Sequence, residues 1–197
     1  MTVRHIATSI LPTKFGEFVI HAFVDGEKKE HIALIKHKRT GKNDAVAVRI
    51  HSKCLTGDTL ASMRCDCRDQ LESSLNYINK NGGIVVYLDQ EGRGIGLSNK
   101  IKAYALQDAG LDTIEANYNL GFDGDLRDYK NAADILKYLG VNRINLLTNN
   151  PKKIKNLETN GIEIVTRIPI MIKPNKFNKR YMKTKKDKMR HLGAAKR

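Results

Sequence analysis

The first fifty residues alternate between short apolar runs and charged turns. The runs at 18–20, 32–35 and 45–50 have the length and the β-branched content of strands, so a β-rich beginning is predicted. Further along, 83–88 and 144–147 are apolar without alternation, which is typical of strands covered on both faces of a sheet. A last strand is expected over 162–168.

Between these strands, apolar residues recur at helical spacing. Leu71, Leu75 and Ile78 predict a helix that stops at the glycines 82–83. The same pattern, each time ended by a glycine, predicts three further helices over 97–109, 129–139 and 151–161. Strands alternating with helices behind a β-rich start predict a single α/β domain with a mixed sheet, whose ligand loops are 90–96 and 148–153.

Charge divides the chain in two. The formal net charge is +14, and residues 173–197 hold eleven lysines or arginines against one aspartate. We therefore predict a folded domain over 1–172 and a basic, flexible tail over 173–197. Such a tail is usually solvated, although blocks of like charge also bind nucleic acid.

The sequence has no apolar stretch of signal-peptide or membrane-spanning length. We therefore expect a cytoplasmic protein without a membrane partner.

Cys54, Cys65 and Cys67 are the three cysteines of the chain, and their surroundings are polar. Clustered thiolates in a cytosolic protein favour zinc, although three buried structural thiols are the alternative. Three protein ligands leave tetrahedral zinc one position for a water molecule that could act as a nucleophile. His51 could close the site as a fourth ligand or form a hydrogen bond beside it.

The predicted ligand loops carry groups suited to a nucleotide. Gly92 and Arg93 follow a buried-type strand and could approach an anion, while Glu91 could accept hydrogen bonds from guanine. Lys153 follows a second strand in a helix-start pattern suited to polyphosphate. The polar turn 123–128 by itself favours a surface salt-bridge cluster.

Several of these motifs occur together and in order, and the chain resembles the GTP cyclohydrolase II family from about 11 to 170, with a fainter echo at 188–192. The segments that carry the resemblance are 49–58, 64–67, 90–96, 99–108 and 147–153. The resemblance implies hydrolysis of GTP at the imidazole carbon of guanine, with release of formate and pyrophosphate, as the first step of riboflavin biosynthesis. It also implies a homodimer, and it makes 1–172 a catalytic domain.

The resemblance further assigns roles to individual residues. Cys54, Cys65 and Cys67 would hold one zinc ion per chain, and Mg²⁺ would accompany the nucleotide phosphates. Tyr104 would assist at the zinc site, Asp125 would accept a proton, and Arg127 would act at the α-phosphorus as a nucleophile or by charge stabilisation. The implied nucleotide contacts are Arg49, Ile50, His51, Ser52, Lys53, Gln70, Glu91, Gly92, Arg93, Thr113, Thr148 and Lys153.

Three positions depart from the family pattern, and two of them reverse a charge. The family usually has glutamate where Lys53 stands, arginine where Asp89 stands, and glutamate where Leu126 stands. One alternative is therefore a paralogue with another substrate or a formamidopyrimidine product. A zinc-stabilised nucleic-acid-binding protein is a second alternative, which a 6% aromatic content without tryptophan disfavours.

Overall fold

The computed structural model describes residues 2–37 and 45–193, which fold around one mixed sheet. The strands are β1 (Val3–Thr13), β2 (Gly16–Asp25), β3 (Glu30–Lys36), β4 (Val46–Ser52), β5 (Gly83–Leu88), β6 (Arg143–Leu147) and β7 (Glu163–Ile168). The helices are α1 (Cys67–Asn81), α2 (Gly96–Asp108), α3 (Thr113–Asn119), α4 (Lys130–Tyr138), α5 (Pro151–Thr159) and α6 (Lys179–Asp187). Two short helical turns, Leu55–Thr59 and Glu91–Gly94, follow β4 and β5.

The sheet confirms the predicted mixed α/β architecture. Its strand order is β1-β2-β3-β5-β4-β6-β7, with antiparallel pairing from β1 to β5 and parallel pairing from β5 to β7. The carboxyl ends of the parallel strands therefore meet at one edge, where the segments after β4, β5 and β6 come together.

β5 is covered on both faces, as its uninterrupted apolar sequence predicts. Val85 packs in one core with Leu75 and Ile78 of α1. Val86 points the other way, into a core that includes Leu136 of α4. The predicted helices correspond to α1, α2, α4 and α5, with ends within a few residues of the expected ones.

Three elements were not predicted: β1, α3 and α6. β1 is an edge strand whose residues are mostly exposed, so no clear apolar alternation marks it. α3 has only seven residues, and α6 is dominated by lysine and arginine. The division at 172 and the flexibility of the tail stay predictions; in its described part the tail includes α6, which packs against α3.

Candidate functional site

A cavity of about 680 Å³ lies at the carboxyl edge of the parallel strands. It is lined by most of the residues proposed from the sequence: Arg49, His51, Ser52, Lys53, Cys54, Cys65, Cys67, Gln70, Glu91, Gly92, Arg93, Tyr104, Thr113, Arg127, Thr148 and Lys153. Ile50 and Asp125 do not line the cavity themselves but contact residues that do. The Ile50 carbonyl accepts a hydrogen bond from Lys153, and Asp125 is paired with Arg127.

The three cysteines converge at one end of the cavity. Cys54 follows β4, whereas Cys65 and Cys67 lie at the start of α1, and the three sulfur atoms lie within 4.8 Å of one another. The Cys54 and Cys65 Sγ atoms are 3.8 Å apart. A zinc–sulfur bond of about 2.3 Å in a tetrahedron separates two thiolates by about 3.8 Å, so this spacing suits zinc.

Gly57 allows this convergence. A Cβ at position 57 would lie 2.9 Å from the Cys65 Sγ atom and 3.1 Å from the Cys54 Sγ atom, closer than side-chain carbons approach sulfur. The turn Leu55–Thr59 therefore needs a glycine where it passes the thiols.

Lys100 of α2 places a positive charge beside the sulfur atoms. Its Nζ lies 3.1 Å from the Cys54 Sγ and 2.8 Å from the Glu91 carboxylate. Hydrogen bonds from the Cys65 and Cys67 thiols, with Lys100, hold the pKa of Cys54 far below its usual range. The same coupling to Cys54 raises the pKa of Cys65 to about 11.

Glu91 organises the same end of the cavity. One carboxylate oxygen accepts from Lys100 and from the Gly92 N–H at 2.9 Å, and the other accepts from the Leu55 N–H at 2.6 Å. Both oxygens are thus engaged by the protein itself. A direct contact between Glu91 and guanine stays a prediction.

Tyr104 lies one helical turn after Lys100 and reaches the same site. Its hydroxyl is 3.3 Å from the Thr56 hydroxyl, and Arg64 lies 4.9 Å from the centre of its ring. Burial raises the pKa of Tyr104, so the phenol keeps its proton at neutral pH and can donate a hydrogen bond.

His51 is engaged away from the thiol cluster. Its Nε2 lies 3.1 Å from both oxygens of Asp58, which also accepts from the Cys54 N–H at 3.0 Å and from the Tyr87 hydroxyl. The alternative in which His51 is a fourth zinc ligand is therefore wrong for this arrangement. Its hydrogen bond instead orients the Asp58 carboxylate that holds the backbone of Cys54.

The other end of the cavity is cationic. Arg49 donates to the Leu147 carbonyl at 3.1 Å and to Gln70 at 2.7 Å, and its buried Nε has no hydrogen-bond partner among the described residues. Arg127 forms a two-pronged ion pair with Asp125, with N–O distances of 2.8 and 2.7 Å. Arg127 of the turn 123–128 therefore lines the cavity with its partner Asp125 behind it, contrary to the expectation of a surface cluster.

Burial affects these cations differently. It lowers the pKa of Arg49 to about 10, which leaves the guanidinium charged at neutral pH. Burial also acts to lower the pKa of Arg127, but Tyr129 and Asp125 outweigh it and the pKa rises. Lys153 is only 4% exposed, and burial together with Arg49 and Arg127 lowers its pKa well below the usual lysine value.

Several remaining contact candidates occupy defined positions around the rim. Thr148 accepts from the Asn150 N–H at 3.1 Å, and Ser52 donates to Gln90 at 3.4 Å. Arg93 lies over the ring of Tyr181. Thr113 opens α3.

The two charge-reversed positions form a pair. The Lys53 ammonium lies 3.1 Å from the Asp89 carboxylate, and both side chains are about one-third exposed. The structure thus pairs the two residues that the sequence analysis expects to depart in charge from the family pattern. Leu126, the third departure, is 46% exposed and donates its backbone N–H to the Arg93 carbonyl.

The sequence did not single out several residues that build the cavity: Gly57, Asp66, Lys100, Lys185 and His191. Lys100 precedes Tyr104 by four residues, and this helical spacing puts both side chains on one face. Asp66 lies between two of the cysteines and binds Lys185 at 2.5 Å. That contact joins residues far apart in the chain, so no local pattern predicts it.

Comparisons with known proteins show to which family the chain belongs. The family model of GTP cyclohydrolase II matches residues 4–169. A GTP cyclohydrolase-2 of Campylobacter hominis is 57% identical over 92% of this chain and 91% of its own length, and one of Picrophilus torridus is 54% identical over 92% and 95%. The riboflavin biosynthesis protein RibBA of Chlorobium phaeovibrioides is 53% identical over 96% of this chain and 47% of its own length.

Fold, cavity and these matches together define a hydrolytic enzyme. More narrowly, the chain belongs to the GTP cyclohydrolase II family, enzymes of riboflavin biosynthesis, as the sequence resemblance predicted. Across 2–37 and 45–193, no helix is both long and apolar enough to cross a membrane.

Proposed function

We propose that the protein hydrolyses GTP in a zinc-dependent reaction that releases formate and pyrophosphate. The product would be 2,5-diamino-6-(5-phosphoribosylamino)pyrimidin-4(3H)-one. Two hydrolyses at the imidazole carbon open the ring and free formate, and a third breaks the bond between the α- and β-phosphates. The observation that carries this proposal is a single cavity with a zinc-like thiol geometry at one end and buried cations at the other.

Cys54, Cys65 and Cys67 would hold one zinc ion per chain, which supplies Lewis-acid activation of water at neutral pH. Lys100 supports the ligand set by neutralising thiolate charge at Cys54. The Tyr104 phenol, which stays protonated, is suited to donate a hydrogen bond to an oxygen or nitrogen of the opening ring.

Arg49, Arg127 and Lys153 would receive the triphosphate with its Mg²⁺. The ion pair with Asp125 and the raised pKa of Arg127 favour a permanently charged guanidinium. We therefore assign Arg127 charge stabilisation at the α-phosphorus rather than a nucleophilic role. Asp125, ion-paired and ionised, stays the predicted proton acceptor.

Homodimerisation and a cytoplasmic location are part of the proposal. Ile6 and Ile10 on the edge strand β1 are 50% and 63% exposed, which supports burial of this edge against a second copy. The basic tail favours the enzyme over a nucleic-acid-binding protein, because Lys185 and Lys188 are paired with acids of the protein itself.

The test is to incubate the zinc-loaded protein with GTP and Mg²⁺ and to measure formate, pyrophosphate and product mass together. We expect formate and pyrophosphate in equal amounts. Pyrophosphate with a formamidopyrimidine and no formate would establish the shorter reaction. Intact GTP with zinc still bound would refute the proposal and favour a paralogue with another substrate.

A further inference from the structure

The segment 175–193 crosses the cavity and is fixed to both of its sides. On the thiol side, Asn178 donates to the Cys65 carbonyl at 3.5 Å and Lys185 binds Asp66. Lys188 binds Asp112 just before α3, so the segment is also fixed to the connection between α2 and α3. These contacts turn a basic segment into part of the cavity wall.

The contact with Asp66 also connects the segment to the cationic end. Asp66 accepts from Gln70, which in turn accepts from Arg49. Lys185 is largely buried, and although burial acts to lower its pKa, Tyr181 and Asp66 outweigh this effect and raise it. The ammonium is therefore charged and neutralises Asp66 instead of competing for a ligand.

His191 is held in this segment by backbone contacts on both sides. Its own N–H donates to the Lys185 carbonyl at 3.1 Å, and the next N–H, that of Leu192, donates to the Asn149 carbonyl at 2.8 Å. Arg167 also donates to the Gly193 carbonyl at 3.0 Å. The position of the imidazole is thus determined by the backbone rather than by its ring nitrogens.

The ring lines the cavity, and its Nε2 is buried without a hydrogen-bond partner among the described residues. A buried polar atom in this state costs free energy, whereas a histidine that merely fills a core finds a partner. The charged groups that act on the ring are Lys185, Arg127, Asp66 and Lys153. Cations predominate among them, so a ligand group that meets the ring here is expected to be an anion.

We propose that His191 is a substrate-binding residue whose Nε2 donates a hydrogen bond to a phosphoryl oxygen of the nucleotide. The inference rests on the proposed function, since it takes the cationic end as the phosphate site. A neutral imidazole offers one N–H, and a phosphoryl oxygen accepts it. The segment 175–193 thereby supplies a ligand contact that the domain 1–172 lacks.

Binding measurements test this independently of turnover. The probes are inorganic pyrophosphate with Mg²⁺ and the α,β-methylene analogue of 7-deaza-GTP, in which neither the α–β bridge nor the five-membered ring can be hydrolysed, titrated calorimetrically into the zinc-loaded chain. We expect His191→Ala to weaken both by roughly tenfold, the effect of one hydrogen bond to a charged group. His191→Gln, whose amide also donates, should stay within about threefold of the unmodified protein.

Arg190→Gln is the matched control, because Arg190 is exposed beside His191 and does not line the cavity. It should leave both affinities unchanged. Zinc content and melting temperature of each variant establish that it is folded. In ¹⁵N-histidine spectra, the Nε2 signal that His191→Gln removes should shift when pyrophosphate is added.

Unaltered affinity in His191→Ala, equal losses in the alanine and glutamine variants, or a stationary Nε2 signal at saturating pyrophosphate would each overturn this inference alone. If the unmodified protein binds neither probe, the proposed function fails, and the inference fails with it.

Discussion

The two ends of the cavity differ in how far the protein satisfies its own charges. At the thiol end, Lys100 is shared between Cys54 and Glu91, and Asp58 holds His51 and the Cys54 backbone. At the cationic end, the Arg49 Nε has no hydrogen-bond partner within 2–37 and 45–193. The first end is preorganised to hold a metal ion. The second has more positive than negative charge, and a bound anion would balance it.

Lys153 is an example of a cation that the protein does not neutralise completely. Its ammonium donates to the Ile50 carbonyl at 2.6 Å and lies 5.1 Å from the centre of the Tyr129 ring. A carbonyl and a ring face stabilise a buried charge only in part, and this explains why its pKa falls. The phosphate that we propose for this end of the cavity would supply the negative charge that the buried ammonium lacks.

The largest expected effect is at the thiol end. Cys65→Ala should reduce zinc affinity and GTP turnover by more than about a hundredfold, because even residues behind a metal ligand are worth 10- to 100-fold. Pyrophosphate binding should persist, since the cationic end does not depend on Cys65. Metal analysis measures the bound zinc, and calorimetry measures pyrophosphate binding. Loss of both in a folded variant would show that the two ends of the cavity are not independent.

Lys153→Met should have the opposite effect to Cys65→Ala: it should impair the cationic end and leave the thiol end intact. Pyrophosphate binding should weaken by about 10- to 100-fold, as expected for a lost charge-assisted hydrogen bond, while zinc content stays the same. Melting temperature should rise by roughly 2–4 °C for each kcal/mol gained, since a buried cation is removed. Lys155→Met, the same change at an exposed position of α5, is the control.

The pH dependence of this stabilisation has a defined sign. A lysine whose pKa is lowered on folding binds its proton more readily when unfolded, so the stability of the unmodified protein rises with pH through that range. The advantage of Lys153→Met should therefore be greatest near neutral pH and shrink as pH approaches 10. A constant advantage would contradict the assigned cause.

A smaller effect is expected at the turn that supports the thiols. Gly57→Ala places a Cβ against the Cys54 and Cys65 sulfur atoms and should lower zinc affinity by about tenfold, with pyrophosphate binding unaltered. Gly26→Ala is the control, because no described residue other than its two chain neighbours has a heavy atom within 4 Å of the added carbon. Competition with a chelator measures the affinity. Equal zinc affinity in both variants would mean that the turn accommodates the methyl group without moving the sulfur atoms.

The sequence predicted a region well where its structure depends on residues close together in the chain. β5 and α1 were predicted correctly because their apolar spacing records their own burial. The cysteines were recognised because all three lie within fourteen residues. α6 escaped prediction, since its packing depends on acids such as Asp66 and Asp112, more than seventy residues away.

Chemical roles were less predictable than positions. The contact of Glu91 with guanine stays a prediction, but its hydrogen bonds with Lys100 and backbone N–H groups could not be predicted from the motif. The turn around Asp125 suggested a surface cluster until the family resemblance, and then the structure, put it at the cavity. In both cases the deciding contacts are tertiary, so a local motif leaves them open.

The weakest predicted effect concerns the ion pair of Lys53, which lines the cavity, with Asp89, two positions where the sequence analysis expects the opposite charges in the family. Lys53→Glu or Asp89→Arg alone sets like charges together and should raise the KM for GTP a few-fold, since a partly exposed pair contributes at most about 1 kcal/mol. The double variant restores an ion pair in the family arrangement and should recover the original KM. A double-mutant cycle on KM measures this coupling. Additive single effects would mean that each residue acts on the nucleotide separately, and the compensation inferred from their 3.1 Å contact would then be wrong.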